Sequence, residues 1–428
     1  MDDFTTSGFS AAGMPASGPV RAHFTGTMPA FRGLIIKGAL LQLITLGIYR
    51  FWLTTDIRRF EWANTQIGGE SAEYTGTAIE LLIGFLIAIA ILVPLFVLMF
   101  LASFALGPAG QAVVFIGYVG LGILGQYAYF RARRYRLTRT LFRGVRLHQD
   151  GSAWSYAFRA LGWGLVILFT LGLAYPFAQA SLERYKLRCT YYGELQGSFV
   201  GRGLPLFARG LLLWMIAILP FVLIVTVAAT TIDWPALAAA ARASRAGRPE
   251  ILGSNPAFMA AMMWISAAVA WFFLSVVLLY PAFQAIALRW WLNGLRFGEA
   301  RVSTDLRTMQ IYGAYFRYIG WSILVVLAAV AVYSVIVILG VIFFHTAAVT
   351  ADSGQVIAAV TGFVAYVALA LCIWIVYQVT VRLRIWRAMV DSVQITGFEA
   401  VESVRADLTR PTSALGEGLV DALGAGGM

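Results

Sequence analysis

Long apolar stretches alternate along this chain with short connectors in which arginine stands beside an aromatic residue, and that alternation predicts its elements. Six stretches, about Leu81 to Ala105, Ala112 to Phe130, Leu206 to Ile232, Phe258 to Leu288, Tyr318 to Phe344 and Val356 to Val381, are nearly free of charge. Each is close to or above the roughly 20 residues that cross ~30 Å of hydrocarbon as a helix. They pair into three helical hairpins with turns at 106–111, 233–257 and 345–355. Pro94 is expected to bend the first helix. Gly117, Gly120, Gly122 and Gly125 thin the return helix, which favours close packing against neighbours.

Two further apolar segments, Phe31 to Trp52 and Trp154 to Phe177, are barely one span long, and each contains a Thr-Leu-Gly, at Thr45 and at Thr170. If both cross fully, the chain has eight spans. If both enter the membrane and return, bending at Gly47 and Gly172, it has six. The second reading keeps similar connectors on one side. It also requires the bends to be buried in protein or to line a wet cavity.

The connectors repeat. Tyr175 to Glu194 recurs without a gap at Tyr280 to Glu299, matching Gln179 with Gln284 and Arg184 with Arg289. A second match pairs Arg59 with Arg184, Thr65 with Thr190 and Gly68 with Gly193, and looser copies follow Gln126 and Gln378. Such repetition marks a structural unit used several times. Thr65 to Tyr74 and Tyr191 to Gly193 predict small β-hairpins, since glycine between alternating residues suits a tight turn. The lead-in His23-Phe-Thr-Gly-Thr27 is echoed at Glu73-Tyr-Thr-Gly-Thr77 and suits a short strand. The predicted class is therefore an all-α polytopic membrane protein of six to eight segments, its helical hairpins joined by Arg-rich connectors carrying small cytoplasmic β-hairpins. Residues 1–22 read as a disordered tail, 23–408 as the membrane domain and 409–428 as a loose, Gly- and Ala-rich tail.

Composition agrees with the pattern. Apolar residues make up 60% of the chain and charged ones 12%, and the mean hydropathy is +0.77. The net charge of +11 comes mainly from the connectors, which assigns them to the cytoplasmic side and puts both termini inside. That orientation accounts for the basic balance without nucleic-acid binding. Residues 1–20 contain no apolar run of signal-peptide length, and Cys189 and Cys372 are not expected to pair.

The chemical inventory is thin. His23, His148 and His345 lack metal-ligand spacing, and no phosphate loop, dinucleotide fingerprint or nucleophile elbow is present. No cofactor or enzymatic activity is expected. The long spans have no interior carboxylate for ion coupling. The repeated Arg59, Arg134, Arg184 and Arg289, with Gln126, Gln179, Gln284 and Gln378, sit near the ends of apolar segments and form candidate sites for lipid headgroups or other anions. The same residues suit caps that merely fix the connectors. Lys37, Thr45, Arg159 and Thr170 on the two short segments are candidate lining for a wet cavity, and snorkelling to the interface explains the two cations equally. The expected partner is the bilayer, through anionic phospholipid headgroups; protein partners are not specified. Two functions stay open: moving or sensing a small or lipidic solute, and organising the envelope through the Arg-aromatic connectors.

Ile44-Thr-Leu-Gly-Ile-Tyr49, Trp52, Arg58-Arg59-Phe60, Asn64-Thr65 and Glu73-Tyr-Thr-Gly-Thr77 together resemble the YjgN-like bacterial inner-membrane proteins, a family of unknown function. Arg133-Arg-Tyr-Arg136, Arg143-Gly144 and Gly151-Ser-Ala-Trp154 resemble the family's next block. The likeness runs from His23 to about Gly397, with a degenerate copy at Trp290 to Glu299. It implies an inner-membrane location and this architecture, and it carries no catalytic residues.

Overall fold

Wherever an apolar helix runs out into an Arg-aromatic segment, the chain turns through a short strand pair and sets off into the next helix. The computed structural model describes residues 18–247, 249–346, 351–402 and 404. In order the elements are β1 (Val20–Phe24), α1 (Met28–Ile44), α2 (Arg50–Ala63), β2 (Thr65–Ile67), β3 (Glu70–Tyr74), α3 (Ala78–Ala105), α4 (Gly107–Thr138), β4 (Thr140–Phe142) and β5 (Val145–Gln149). Next come α5 (Ala153–Phe169), α6 (Tyr175–Arg188), β6 (Thr190–Tyr192), β7 (Leu195–Phe199), α7 (Gly203–Thr231), α8 (Trp234–Arg245), α9 (Pro249–Gly253) and α10 (Pro256–Gly294). The rest are β8 (Leu295–Phe297), β9 (Ala300–Thr304), α11 (Thr308–Thr346), α12 (Ala351–Tyr377), a π-helical turn at Gln378–Arg382, α13 (Leu383–Asp391), β10 (Val393–Thr396) and α14 (Glu399–Glu402).

The ten strands close into one antiparallel barrel in the order β1-β10-β9-β8-β7-β6-β5-β4-β3-β2. The chain is mostly helical, as expected, but the small β-hairpins join into one closed sheet, so the all-α class is corrected in that respect. Four hairpins turn on residues in the left-handed region, among them Gly68, Gly69, Arg143, Gly144, Gly193 and Gly298. The fifth pair comes from the two ends of the chain, with Val20 opposite Ile395 and Arg21 opposite Gln394. Strand β1 therefore begins inside the stretch read as a tail, and the degenerate copy still folds as β8–β9. The 409–428 tail lies outside the described residues.

Each helical hairpin rises from one strand pair, and the same main-chain bond closes its base five times. The N–H of the residue after the outgoing strand donates to the carbonyl that ends the incoming helix: Thr25 to Asn64, Thr75 to Arg139, Asp150 to Cys189, Val200 to Gly294 and Asp305 to Ser392, at 2.7–3.2 Å. All five hairpins consequently stand on one rim of the barrel. Inside it, Phe142, Val145 and Tyr192 are buried with Phe398, and Val20, Ile67 and Phe297 pack onto them. Tyr192 donates to the Phe142 carbonyl at 3.0 Å, and burial pushes its phenol up. Val401, on α14, joins this cluster and stops the far mouth. There Arg143 reaches both Glu70 and Glu402.

Six helices are long and apolar enough to cross a membrane, counted among the described residues. They form the three expected hairpins, α3–α4, α7–α10 and α11–α12, the last running on into α13. Helix α3 starts with a capping box between Thr77 and Glu80 and continues through Pro94 without a break. The 233–257 turn holds α8 and α9; part of the 345–355 turn lies outside the described residues.

The two short segments turn back on themselves. Each reverses at its Thr-Leu-Gly, so that α1 returns as α2 and α5 as α6, and the Arg-bearing stretch 56–64 is a return limb rather than a separate connector. Gly47 and Gly172 take φ of +92° and +90°. The bends can sit in hydrocarbon because their donors are satisfied locally. The N–H groups of Thr45 to Arg50 bond to main-chain carbonyls or, for Tyr49, to the Thr45 hydroxyl, and Thr170 to Tyr175 repeat the scheme. The bend tips expose Leu46 and Leu171, which suits lipid rather than water.

The aromatic-x-Gly motif that ends β1, β3 and β7 is explained by a close approach of the glycine to the ring two residues before it. A Cβ on Gly201 would lie 2.5 Å from the Phe199 ring. Gly201→Ala is expected to cost about 1–3 kcal/mol through overpacking, seen as a lower melting temperature in detergent. Gly162→Ala, where a Cβ meets nothing within 4 Å, should be neutral or stabilising.

Candidate functional site

The inward-facing lane of the barrel continues upward into the helix ends, and there it becomes polar. Thr65, Thr140 and Thr190 open β2, β4 and β6, and each hydroxyl donates to the carbonyl four residues back, of Glu61, Arg136 and Lys186. Each hydroxyl also accepts from a neighbouring unit: from Trp386 Nε1 at 3.2 Å, Trp62 Nε1 at 3.0 Å and Arg133 at 2.8 Å. One and two turns back along the same helical faces lie Arg58 and Glu61, Arg133 and Arg136, and Glu183 and Lys186. The result is a charged layer across the helix-bearing mouth of the barrel.

Arg58, Glu61, Glu183 and Lys186 are buried. Charges so placed need partners, because desolvation costs several kcal/mol per ion. Arg382 meets both carboxylate oxygens of Glu61, at 2.8 and 2.9 Å. Lys186 pairs with Glu183 at 2.5 Å, and Trp291 Nε1 donates to the same carboxylate at 3.2 Å. Arg133 donates to Gln149 Oε1 at 2.5 Å, and Arg58 to the Tyr74 hydroxyl at 3.1 Å. Gln149, buried, leaves its amide nitrogen without a partner. Five cations thus share the layer with two carboxylates. The distribution is lopsided, since α10 supplies Leu288 and Trp291 where α2, α4 and α6 supply charge, and α13 supplies Trp386.

Above the layer, tyrosines from several helices face one another. Tyr175 on α6 lies within electrostatic reach of Glu183, of Tyr280 on α10 and of Tyr129 on α4. Tyr280 meets the Tyr315 ring edge-on at 5.9 Å, and Tyr318 meets Tyr377 at 5.7 Å. Lys186 Nζ lies over the Tyr129 ring at 5.3 Å. Farther out, the spanning helices expose apolar side chains along most of their length. Moving away from the barrel, the side chains therefore pass from charge to hydroxyl to hydrocarbon.

The arginines singled out in the sequence lie beside this layer, one residue along. Arg59 donates to the Gly76 carbonyl at 3.0 Å, Arg134 to that of Gly151 and Arg289 to that of Leu306 at 3.4 Å. Each bond ties an incoming helix to the start of the next outgoing one. Arg184 is exposed. Gln126 is exposed and Gln179 half-buried, Gln284 accepts from the Tyr315 hydroxyl at 3.1 Å, and Gln378 is buried with Oε1 unpartnered. The four polar residues of the short segments are divided between two hairpins. The Thr45 and Thr170 hydroxyls are spent inside their own bends. Lys37 is exposed, and the exposed Arg159 lies over the Tyr185 ring at 4.5 Å.

The residues of the charged layer were missed although a signal for them exists. Charge-x-x-charge-x-x-x-Thr occurs at 58/61/65, 133/136/140 and 183/186/190, which places both charges and the threonine on one helical face. Cys189 and Cys372 are free, and burial pushes the Cys189 thiol up. Among the described residues no cluster of three or more His, Cys, Asp or Glu could hold a metal ion. His23 contacts Asp391 at 3.3 Å and His148 stacks on Tyr191; the side chain of His345 lies outside the description.

Removing one partner of the Glu61–Arg382 ion pair should be costly. Glu61→Ala, which strands Arg382, is expected to destabilise the protein by about 3 kcal/mol. The double variant with Arg382→Met should recover most of that loss in a double-mutant cycle followed by thermal melting.

No curated protein and no solved structure matches this chain. The family described as a bacterial protein of unknown function (DUF898) matches residues 19–277, from β1 into α10. The rest of the chain repeats the same hairpin-on-strand-pair unit and completes the ring. With the match covering more than half of its length, the chain belongs to the DUF898 family, that of the YjgN-like proteins.

Proposed function

We propose that this protein is a non-catalytic membrane protein of the bacterial inner membrane that holds an anionic amphiphile over the barrel mouth, in order to sense it or move it within the bilayer. The gathering of five cations at one mouth of the barrel carries the reading, since clustered guanidinium and ammonium groups hold a phosphate through charge-assisted hydrogen bonds. The graded lining, from charge through tyrosine to apolar helix, matches the profile of a lipid from headgroup to chain. Access also fits. The helices α1 and α5 have 17 residues each, roughly 25 Å long, against roughly 42 Å for the 28 residues of α3. Two of the five hairpins therefore leave the far part of the ring unfilled, and a lipid can enter sideways.

A water-filled conduit through the barrel is disfavoured, because its interior is packed with apolar side chains and stopped by Phe398 and Val401. The arginine-rich barrel side is assigned to the cytoplasm by its charge, and both termini go with it because β1 and β10 are paired. The envelope-organising alternative loses support, because Arg59, Arg134 and Arg289 spend donors on the scaffold's own carbonyls.

Native mass spectrometry of protein taken from nanodiscs containing phosphatidylglycerol and phosphatidylethanolamine tests the proposal. One anionic lipid per chain should be retained, and Arg133→Gln with Arg136→Gln should lower its retention at least tenfold. Equal retention of both lipids, or no change in the variant, would remove the headgroup reading. Orientation is checked with Cys189 and Cys372 replaced and a single cysteine at Ser198, an exposed position on β7. An impermeant thiol reagent should fail to label it on intact cells and label it after permeabilisation.

A further inference from the structure

A groove of about 450 Å³ runs along α12, beside α11, within the ~300–1,000 Å³ typical of small-molecule sites. Tyr318 of α11 and Tyr366, Ala370, Ile373, Trp374 and Tyr377 of α12 line it. Their spacing puts them on one helical face, with Ala370 deepening the middle. From Tyr366 to Tyr377 the groove is roughly 16 Å long at 1.5 Å per residue, which is about half of the ~30 Å hydrocarbon core. That is the depth of a single leaflet. The groove is thus shaped for a chain that lies along the membrane normal.

Its barrel-side end is polar. Tyr377 gives way directly to the π-helical turn at Gln378–Arg382, and such turns are frequent at functional sites. Gln378 there is 7% exposed with Oε1 unpartnered. Arg382 engages Glu61 through Nε and Nη2 only, and with its side chain 32% exposed it keeps Nη1 for another acceptor. Arg382 follows the last lining residue, Tyr377, by five residues and pairs with Glu61, so the charged layer begins just beyond the barrel-side end of the groove. A free guanidinium donor and a free amide acceptor together suit a headgroup that carries both a phosphate and a hydroxyl.

We propose that this groove is the slot for one hydrocarbon chain of an anionic glycerophospholipid of the barrel-side leaflet, with Arg382 meeting its phosphate. The inference rests on the headgroup reading above and adds where the chain lies. A free phosphate has no use for the groove, and a neutral lipid has none for Arg382.

The test uses full-length protein in phosphatidylcholine nanodiscs doped with phosphatidylglycerol bearing a mid-chain diazirine, followed by irradiation and peptide mapping. Labelling should concentrate on Tyr366–Tyr377, at least fivefold above the more exposed 324–336 region of α11. Ala370→Phe, a change at an exposed position that fills the groove, should bring it down to that background while the melting temperature holds. Labelling spread in proportion to exposure, or unaffected by Ala370→Phe, overturns the slot; the headgroup reading survives if one phosphatidylglycerol is still retained and still depends on Arg133 and Arg136. If phosphatidylcholine carrying the same diazirine chain labels the groove equally, the groove is a general lipid contact, and the headgroup selectivity falls with the proposal.

Discussion

One main-chain hydrogen bond, made five times, constrains the architecture. Between the end of each incoming helix and the end of the preceding strand, the N–H···O=C contact at 2.7–3.2 Å fixes where a helical hairpin stands on the barrel. Main-chain groups near a membrane surface must be satisfied, and here a single device does so at every hairpin base. The bond is indifferent to side chains, which explains how Asn64, Arg139, Cys189, Gly294 and Ser392 can occupy equivalent places. It also separates two tasks. The rim can be rebuilt five times from different residues, while the inward faces are free to carry whatever the interior requires.

That freedom is visible in the asymmetry of the layer. Three connectors place charge over the barrel, whereas α10 and α13 place Trp291 and Trp386 there, and the indoles donate back to Glu183 and Thr65. The connector that looks degenerate as a repeat keeps its strands and changes its interior. A ring of five alike charged units would concentrate like charges on the axis at high cost. Tryptophan on one arc removes part of that cost.

How much of this was legible depended on the length of each signal. Spans of 28 to 39 residues announce themselves, and the Thr-Leu-Gly bends could be inferred because similar connectors had to share a side. The barrel was not legible. Its strands are three to five residues long, too short for alternation to stand out, and its closing pair is split between Val20–Phe24 and Val393–Thr396. Nothing local in either stretch announces its partner some 370 residues away. The site failed differently: Arg59 and Arg134 attracted notice as repeated residues, but repetition marked the rim bonds, while the charges that face inward vary from unit to unit. Variation within a repeat was the better guide to the interior.

The pairing of β1 with β10 also imposes an order on biogenesis. Of the ten barrel strands the first to be made has to wait for the last, so the barrel cannot close until the helical hairpins between them have been made. Until then one edge of the sheet stays open, as an unpaired template for other chains, and the charges above it stay wet. Arg382, the partner of Glu61, arrives only with the final connector. Desolvation of the layer is thereby postponed to the step at which Glu61 gains its counter-charge.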